Sequence, residues 1–298
     1  MEYTLAIGDR TYSSWSLRGW LLFAKFGVPV AVKTARMKLP EFSEMLSRFA
    51  PAASVPAMIV QEDGENYPVW DSLAIAETLA QRHPANGFWP EKPVERAMAR
   101  SISAEAHAGF ASLRRECPMN LRYCYEGFRP SEAVLSDIER LEALWTAARA
   151  AHAVLRPEGP WLFGTYSIAD VFFAPYATRI ATYQLPIKAA ASLDYVAAHL
   201  ADQQFRQWRA MGLAERYVQP GYDLDLTTTE WPGPNRVMAH PVSDMTPINA
   251  ACPFSGRAVA ADSVADIDGR VIGFCNQFCR DKSVADAGAW PQVAAMLQ

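Results

Sequence analysis

The stretch that decides the fold is Gly8-Asp9-Arg10-Thr11-Tyr12-Ser13-Ser14-Trp15-Ser16-Leu17-Arg18, running on through Gly19-Trp20-Leu21-Leu22-Phe23-Ala24-Lys25-Phe26-Gly27. Ahead of it, Tyr3 to Ile7 reads as a short buried strand. Behind it, Leu17, Trp20, Leu21 and Ala24 repeat at helical spacing and Gly27 stops the helix. Three serines therefore sit on a strand-to-helix turn, where the first-turn amides lack partners and the helix dipole is positive. Such a turn favours an anion, and a row of hydroxyl donors beside it can stabilise a thiolate. The same serines also read as plain helix caps, a common serine role. The local sequence leaves both readings open.

Working outward, Val28 to Lys33 reads as a second strand and Phe42 to Phe49 as a polar helix ending before Ala50-Pro51. Val55-Pro56-Ala57-Met58-Ile59-Val60 and Tyr67-Pro68-Val69-Trp70 then flank Asp63-Gly64, a hairpin signature. Asp71-Ser72 opens a helix to about Arg82, with ordinary capping chemistry at its start. The order βαβ, α, ββα puts parallel and antiparallel strands in one small sheet. At Val55-Pro56 an X-Pro bond makes a cis peptide inexpensive, although frequency alone favours trans. A cis bond there would turn the Val55 main chain toward a peptide-like ligand.

These motifs, in this order and spacing, resemble the cytosolic glutathione S-transferases. Residues 1–83 resemble the thioredoxin-like glutathione-binding domain. Ser13-Ser14-Trp15-Ser16-Leu17-Arg18 is similar to the zeta-class Ser-Ser-Cys pattern, with Trp15 where the cysteine would stand. Val55-Pro56 matches the cis-proline dipeptide and Asp71-Ser72 the acidic-Ser pair. The resemblance implies glutathione as the bound substrate and Ser13 as the hydroxyl that activates its thiol, with Ser14 and Tyr12 as alternates. It implies Lys33, Val55, Pro56, Asp71 and Ser72 as further glutathione-binding residues, with Val55 on the cysteinyl backbone and Asp71 and Ser72 on the γ-glutamyl end. Arg18 is expected to support the turn. Trp15 removes a mixed-disulfide role at its position and departs from the isomerases of the zeta class.

From Glu91 the pattern is helical. Helices are expected over about Val94–Arg115, Ser131–Arg156, a run opening at Ser167-Ile168-Ala169-Asp170, Ser192–His199 and Gln203–Arg216. Ser167 with Asp170 three residues on is close to a capping box, and it matches the family's buried N-capping box. Residues 91–217 thus form the all-α domain that the resemblance implies. Its first helices would line the electrophile pocket, with His107 as a polar group and Arg114, Arg115 or Arg122 attracting an acidic substrate. Core packing for His107 and surface pairing for the arginines are the plainer alternatives. Cys117 and Cys124 show no metal-site pattern.

Residues 218–250 form a Pro-rich linker without periodicity. Residues 251–298 carry Cys252, Cys275 and Cys279, spaced C-x22-C-x3-C, on a Cys-Pro-Phe-Ser-Gly turn and a strand-to-helix junction. Converging thiolates suit a soft or borderline metal such as zinc. The arrangement resembles the small treble-clef-like YHS and TRASH modules. Candidate fourth ligands are His240, Asp262 and Asp281, and an ion-free knuckle or a Cys275–Cys279 disulfide is equally open.

The composition fits this organisation. The 298 residues suffice for two domains and an appendage, half of them are apolar, and the net charge of −4 argues against a general nucleic-acid surface. No apolar run approaches the roughly 20 residues of a membrane span, no secretory signal is visible, and five cysteines do not form a disulfide framework. The expectation is an α+β multi-domain, cytoplasmic and homodimeric glutathione transferase attacking a small electrophile. The alternatives are a maleylacetoacetate-isomerase-like enzyme and a non-catalytic glutathione-binding scaffold with a metal-binding end module.

Overall fold

The computed structural model describes residues 1–153 and 159–298. The chain divides into two compact units, Met1–His199 with Pro220–Trp231, and Leu200–Gln219 with Pro232–Gln298.

The first unit begins with β1 (Glu2–Ile7), α1 (Ser14–Ala24), β2 (Ala31–Thr34), α2 (Pro40–Ser47), β3 (Ala57–Glu62), β4 (Glu65–Val69) and α3 (Ser72–Arg82). The sheet order is β2-β1-β3-β4, with β1 parallel to β2 and antiparallel to β3. The hairpin between β3 and β4 turns at Asp63 and Gly64, both with positive φ, as the expected turn pair requires. The Val55–Pro56 peptide is cis. Pro56 lies against α1, where a Cβ on Gly19 would come within 2.5 Å of the proline Cβ. That close approach is why this helix position takes glycine.

The helical part follows as α4 (Pro93–Ala108), α5 (Ala111–Glu116), the short strand β5 (Cys124–Tyr125), α6 (Glu132–Ala153), α7 (Ile168–Tyr183) and α8 (Ala190–Ala201). The single helix expected over Val94–Arg115 is in fact two. Gly109 leaves the helix in extended backbone and Phe110 adopts a left-handed conformation with φ 57°. That break turns the Phe110 ring onto Tyr176, 5.1 Å away, so core packing overrides the continuous helical pattern. The helix expected to reach Arg156 is described to Ala153, and Arg156 lies outside the described residues. α7 is buried along its whole length, and Asp170 reaches back to accept from the Ser167 amide at 2.8 Å. Asp170 also accepts from the Leu162 amide and the Tyr195 hydroxyl.

The expected linker is not featureless. Its residues Thr228–Thr229 form β6, antiparallel to β5, and Ala239–Val242 form β7. In the second unit α9 (Gln203–Ala214) packs against α10 (Gln277–Ala285), and α10 in turn lies on a three-stranded sheet of β7, β8 (Val264–Ile267) and β9 (Arg270–Gly273), with α11 (Pro291–Ala294) following. Ala210 and Met211 of α9 share a core with Ile267, Ile272, Phe274 and Trp290. Helical periodicity shows that α9 buries one face and does not show against what; the compact unit that holds α9 also holds Pro232–Gln298. Among the described residues no helix is long and apolar enough to cross a membrane.

Candidate active site

The bend between β1 and α1 is built as a hydroxyl array. Ser13 caps α1: its Oγ accepts from the Ser16 amide at 3.2 Å and donates to Ser16 Oγ at 2.7 Å. Ser16 Oγ in turn accepts from the Gly8 amide at 2.9 Å. The capping role left open by the sequence is thus present. It does not consume the Ser13 proton, which can swing from Ser16 to a ligand while the oxygen stays on its amide. Ser14 Oγ accepts from Nη2 of Arg179 at 3.3 Å. Tyr12 is buried, and its hydroxyl accepts from Nε of Arg122 at 2.9 Å.

A cavity of about 370 Å³ opens on this bend, lined by Ser13, Ser14, Trp15, Arg114, Arg179 and Tyr222, with Tyr12, Met37, Pro118 and Met119 completing the wall. Two guanidinium groups therefore face it. Arg179 is held by the Cys117 and Pro175 carbonyls and Arg114 by the carbonyls of His107 and Ala108, so neither is neutralised by a carboxylate among the described residues. Burial, with Arg114 nearby, lowers the Arg179 pKa. Arg18 behaves similarly: it donates to the Phe172 and Ala106 carbonyls, which ties α1 to α7 and α4, and burial brings it down to about 10.

The other expected glutathione residues divide into two groups. Asp71 caps α3, accepting from the Leu73 amide at 3.0 Å, and its second oxygen lies 3.1 Å from Nε2 of His107. The His107 ring stands edge-on to Trp15 at 5.2 Å, which connects the start of α3 to the serine bend. Burial lowers the His107 pKa, and Arg18 and Arg114 add to this against the opposing pull of Asp71. Ser72, at the first position of α3, is fully buried, and its hydroxyl has no hydrogen-bond partner among the described residues. Lys33, by contrast, is exposed in a separate groove of about 460 Å³ between β2 and α2, which shares no lining residue with the serine cavity. Arg115 makes an exposed pair with Glu116, the plainer alternative. Cys117 is buried and its thiol is pushed up to about 12, which leaves it inert.

Two polar cavity residues, Arg179 and Tyr222, went unread in the sequence. Arg179 had a signal, a lone charge inside the apolar run of α7. Tyr222 had none, since it falls in the Pro-rich stretch.

In the second unit the sulfurs of Cys252, Cys275 and Cys279 all lie within 4.8 Å of one another, and no further His, Cys, Asp or Glu joins them among the described residues. All five cysteines are free thiols, so the Cys275–Cys279 disulfide is not formed. Nor does a candidate fourth ligand reach the cluster. His240 sits on β7 opposite Asp266, Asp262 accepts from Ser263 and Gln277, and Asp281 pairs with Arg216 and Arg280. Burial raises the Cys252 pKa, but amides of Cys275, Phe254 and Ser255 outweigh it and bring the thiol to about 7. Burial takes Cys279 up to about 11. Three converging sulfurs are a soft donor set that fits a thiophilic metal with one place left open.

Comparison with known proteins bears on the fold and on residues 12–82. Residues 12–82 match the family model of the glutathione S-transferase N-terminal domain. The chain is 28% identical over 195 residues to a probable maleylacetoacetate isomerase of Caenorhabditis elegans, covering 65% of this chain and 86% of that protein. A Burkholderia glutathione transferase homologue, solved with bound glutathione, aligns with TM-score 0.51 and 24% identity over 71% of this chain and 98% of its own. A maleylacetoacetate isomerase of Anaeromyxobacter dehalogenans, solved with dicarboxyethyl glutathione and citrate, aligns with TM-score 0.50 and 22% identity over 76% and 98%. The fold is that of a glutathione transferase, and residues 12–82 carry that family's N-terminal domain. These matches support a glutathione transferase or a related enzyme.

Proposed function

We propose that this chain binds glutathione at the Ser13–Ser14 bend and uses it, as thiolate, against a small electrophile. The observation that carries the reading is the Ser13 hydroxyl, held by an amide at the start of α1 yet lining a cavity. A free thiol has a pKa near 8.5, so at neutral pH it is mostly protonated. Lowering it by two units requires about 2.7 kcal/mol. A charge-assisted hydrogen bond from Ser13 and the dipole of α1 supply that order of stabilisation. Asp71 pairs with the γ-glutamyl ammonium, and Ser72 with the amides opening α3 holds its carboxylate. Val55 presents its main chain to the cysteinyl residue. Attack by the thiolate forms the carbon–sulfur bond. The leaving group departs with the electron pair, or in an addition the adjacent carbon takes a proton.

A second reading is favoured by a specific observation. Arg114 and Arg179 bring two positive charges, without carboxylate partners among the described residues, to the cavity wall. This suits an electrophile bearing carboxylates, as in an isomerase of the maleylacetoacetate type. Turnover of a cis dienoate without net loss of glutathione selects the isomerase, and accumulation of a thiol adduct selects the transferase.

Ser13→Ala is expected to lower the rate about 100-fold, the thiolate fraction lost by two pKa units, with glutathione still bound in calorimetry. Ser14→Ala is expected to lose less, and the reverse ranking would move the role to Ser14. Helix capping makes Ser13→Ala less stable by about 1 kcal/mol, so folding is checked by thermal melting. For the end module, we propose that Cys252, Cys275 and Cys279 hold one thiophilic ion such as zinc. Metal analysis of the purified chain is expected to find about one ion per chain, lost on Cys279→Ser. Metal-free protein with unaltered melting in that variant removes the site. We place the enzyme in the cytoplasm as a homodimer.

A further inference from the structure

The stretch after residue 219 returns to the first unit as a strap. Gly221, with φ 85°, turns the chain so that Tyr222 faces the cavity. On one side Nζ of Lys38 donates to the Pro220 carbonyl at 3.1 Å and stands 5.6 Å from the Tyr222 ring. On the other, Asp223 accepts from Nδ2 of Asn120 at 2.8 Å and from the Tyr123 hydroxyl at 2.7 Å. The Leu224 amide donates to the Tyr125 hydroxyl at 3.1 Å, and β6 then pairs with β5. A segment tied at Lys38, at Asn120 and Tyr123, and at β5 is a fixed wall. Its aromatic ring lies 5.0 Å from that of Tyr12, the residue next to Ser13.

From this placement we propose that Tyr222 sets the size limit on the group that glutathione's sulfur attacks and then carries. The inference rests on the functional reading above and deepens it. Residues at the tripeptide's anchors, Asp71 and Ser72 at the start of α3 and Val55 before β3, do not line the cavity that Tyr222 walls. Tyr222 therefore acts on the sulfur substituent and not on the tripeptide. A cavity of about 370 Å³ walled on one side by a tethered ring admits a small substituent and crowds a bulky one on that side. Removing the ring opens that side without disturbing Ser13.

The test is calorimetry on the full chain with glutathione, S-methylglutathione and S-(naphthylmethyl)glutathione, for the wild type, Tyr222→Phe, Tyr222→Leu and Tyr222→Ala. Thermal melting verifies folding, and Tyr222→Leu serves where the alanine variant melts early. Glutathione and the S-methyl compound are expected to bind all folded variants within about twofold. The bulky compound is expected to gain about tenfold in Tyr222→Leu and Tyr222→Ala, and nothing in Tyr222→Phe. An unchanged ratio of bulky to small compound in the folded variants overturns the strap's role and leaves the glutathione reading standing. No uptake of glutathione by the wild type overturns both. A parallel loss for all three compounds assigns Tyr222 to the tripeptide instead and overturns the proposal.

Discussion

At the scale of single residues, Ser72 is the sharpest case. Its hydroxyl is buried without a hydrogen-bond partner among the described residues, a standing cost of the order of 1–3 kcal/mol by mutational measure. Under the proposed function its partner is the γ-glutamyl carboxylate at the start of α3. Two opposed consequences follow for Ser72→Ala. The free protein is expected to melt at the same temperature or slightly higher, because the unsatisfied group is gone. Glutathione affinity is expected to fall about tenfold, the value of one hydrogen bond to a charged group. Calorimetry and thermal melting on the same preparation check both, and a stability loss with unchanged affinity would make Ser72 a packing residue. Asp71 and His107 are a second residue-level pair: their contact ties the expected γ-glutamyl end to Trp15, a link that no spacing in the sequence announced.

At the scale of elements, the sequence was most legible where a chain signal and a backbone requirement coincide. The serine bend, the Asp63-Gly64 hairpin and the Ser167–Asp170 cap all stand where local chemistry demanded. It was least legible where tertiary packing chose among equal local options, as at Gly109–Phe110, where one helix became two. Lys33 shows the same limit, since strand alternation does not tell which groove an exposed lysine enters. One buried element has a pH consequence. His199 on α8 is buried against Tyr195 at 4.5 Å and Trp161 at 5.2 Å, with Tyr166 and Lys25 near. Burial, with Lys25 adding to it, takes its pKa from 6.5 down to about 3. The folded chain thus keeps a neutral ring where the unfolded chain takes up a proton below about 6.5. The associated stability is present above that pH and is lost progressively as pH falls toward 3. Each pH unit below about 6.5 removes up to about 1.4 kcal/mol. Melting curves of wild type and His199→Phe between pH 7 and 4.5 check this: the variant is expected to show the shallower decline, and parallel declines would refute the assignment.

At the scale of the whole molecule, the question is whether the cysteine module is an attachment or a part of the fold. The composition change after residue 217 reads as a joint. The packing of α9 argues otherwise. Arg206 makes a two-point ion pair with Asp286, at 2.8 and 2.6 Å, with the two side chains 17% and 9% exposed. Gln207 donates to the Ala289 carbonyl, and Ala210 sits in the core formed with Ile267, Phe274 and Trp290. Ending the chain after residue 217 would leave the guanidinium of Arg206 without its partner and expose the apolar face of α9. Breaking a buried pair by removing one side costs about 3–5 kcal/mol, before any lost apolar burial is counted. The same truncation deletes Tyr222 from the cavity wall and β6 from its pairing with β5. A chain of residues 1–217 is therefore expected to melt well below the full chain, and Asp286→Ala in the full chain to lose part of the same stability. If the truncated chain melts cooperatively at the full-length temperature, α9 does not depend on the module. The cysteine cluster would then be a separable passenger on a self-sufficient transferase.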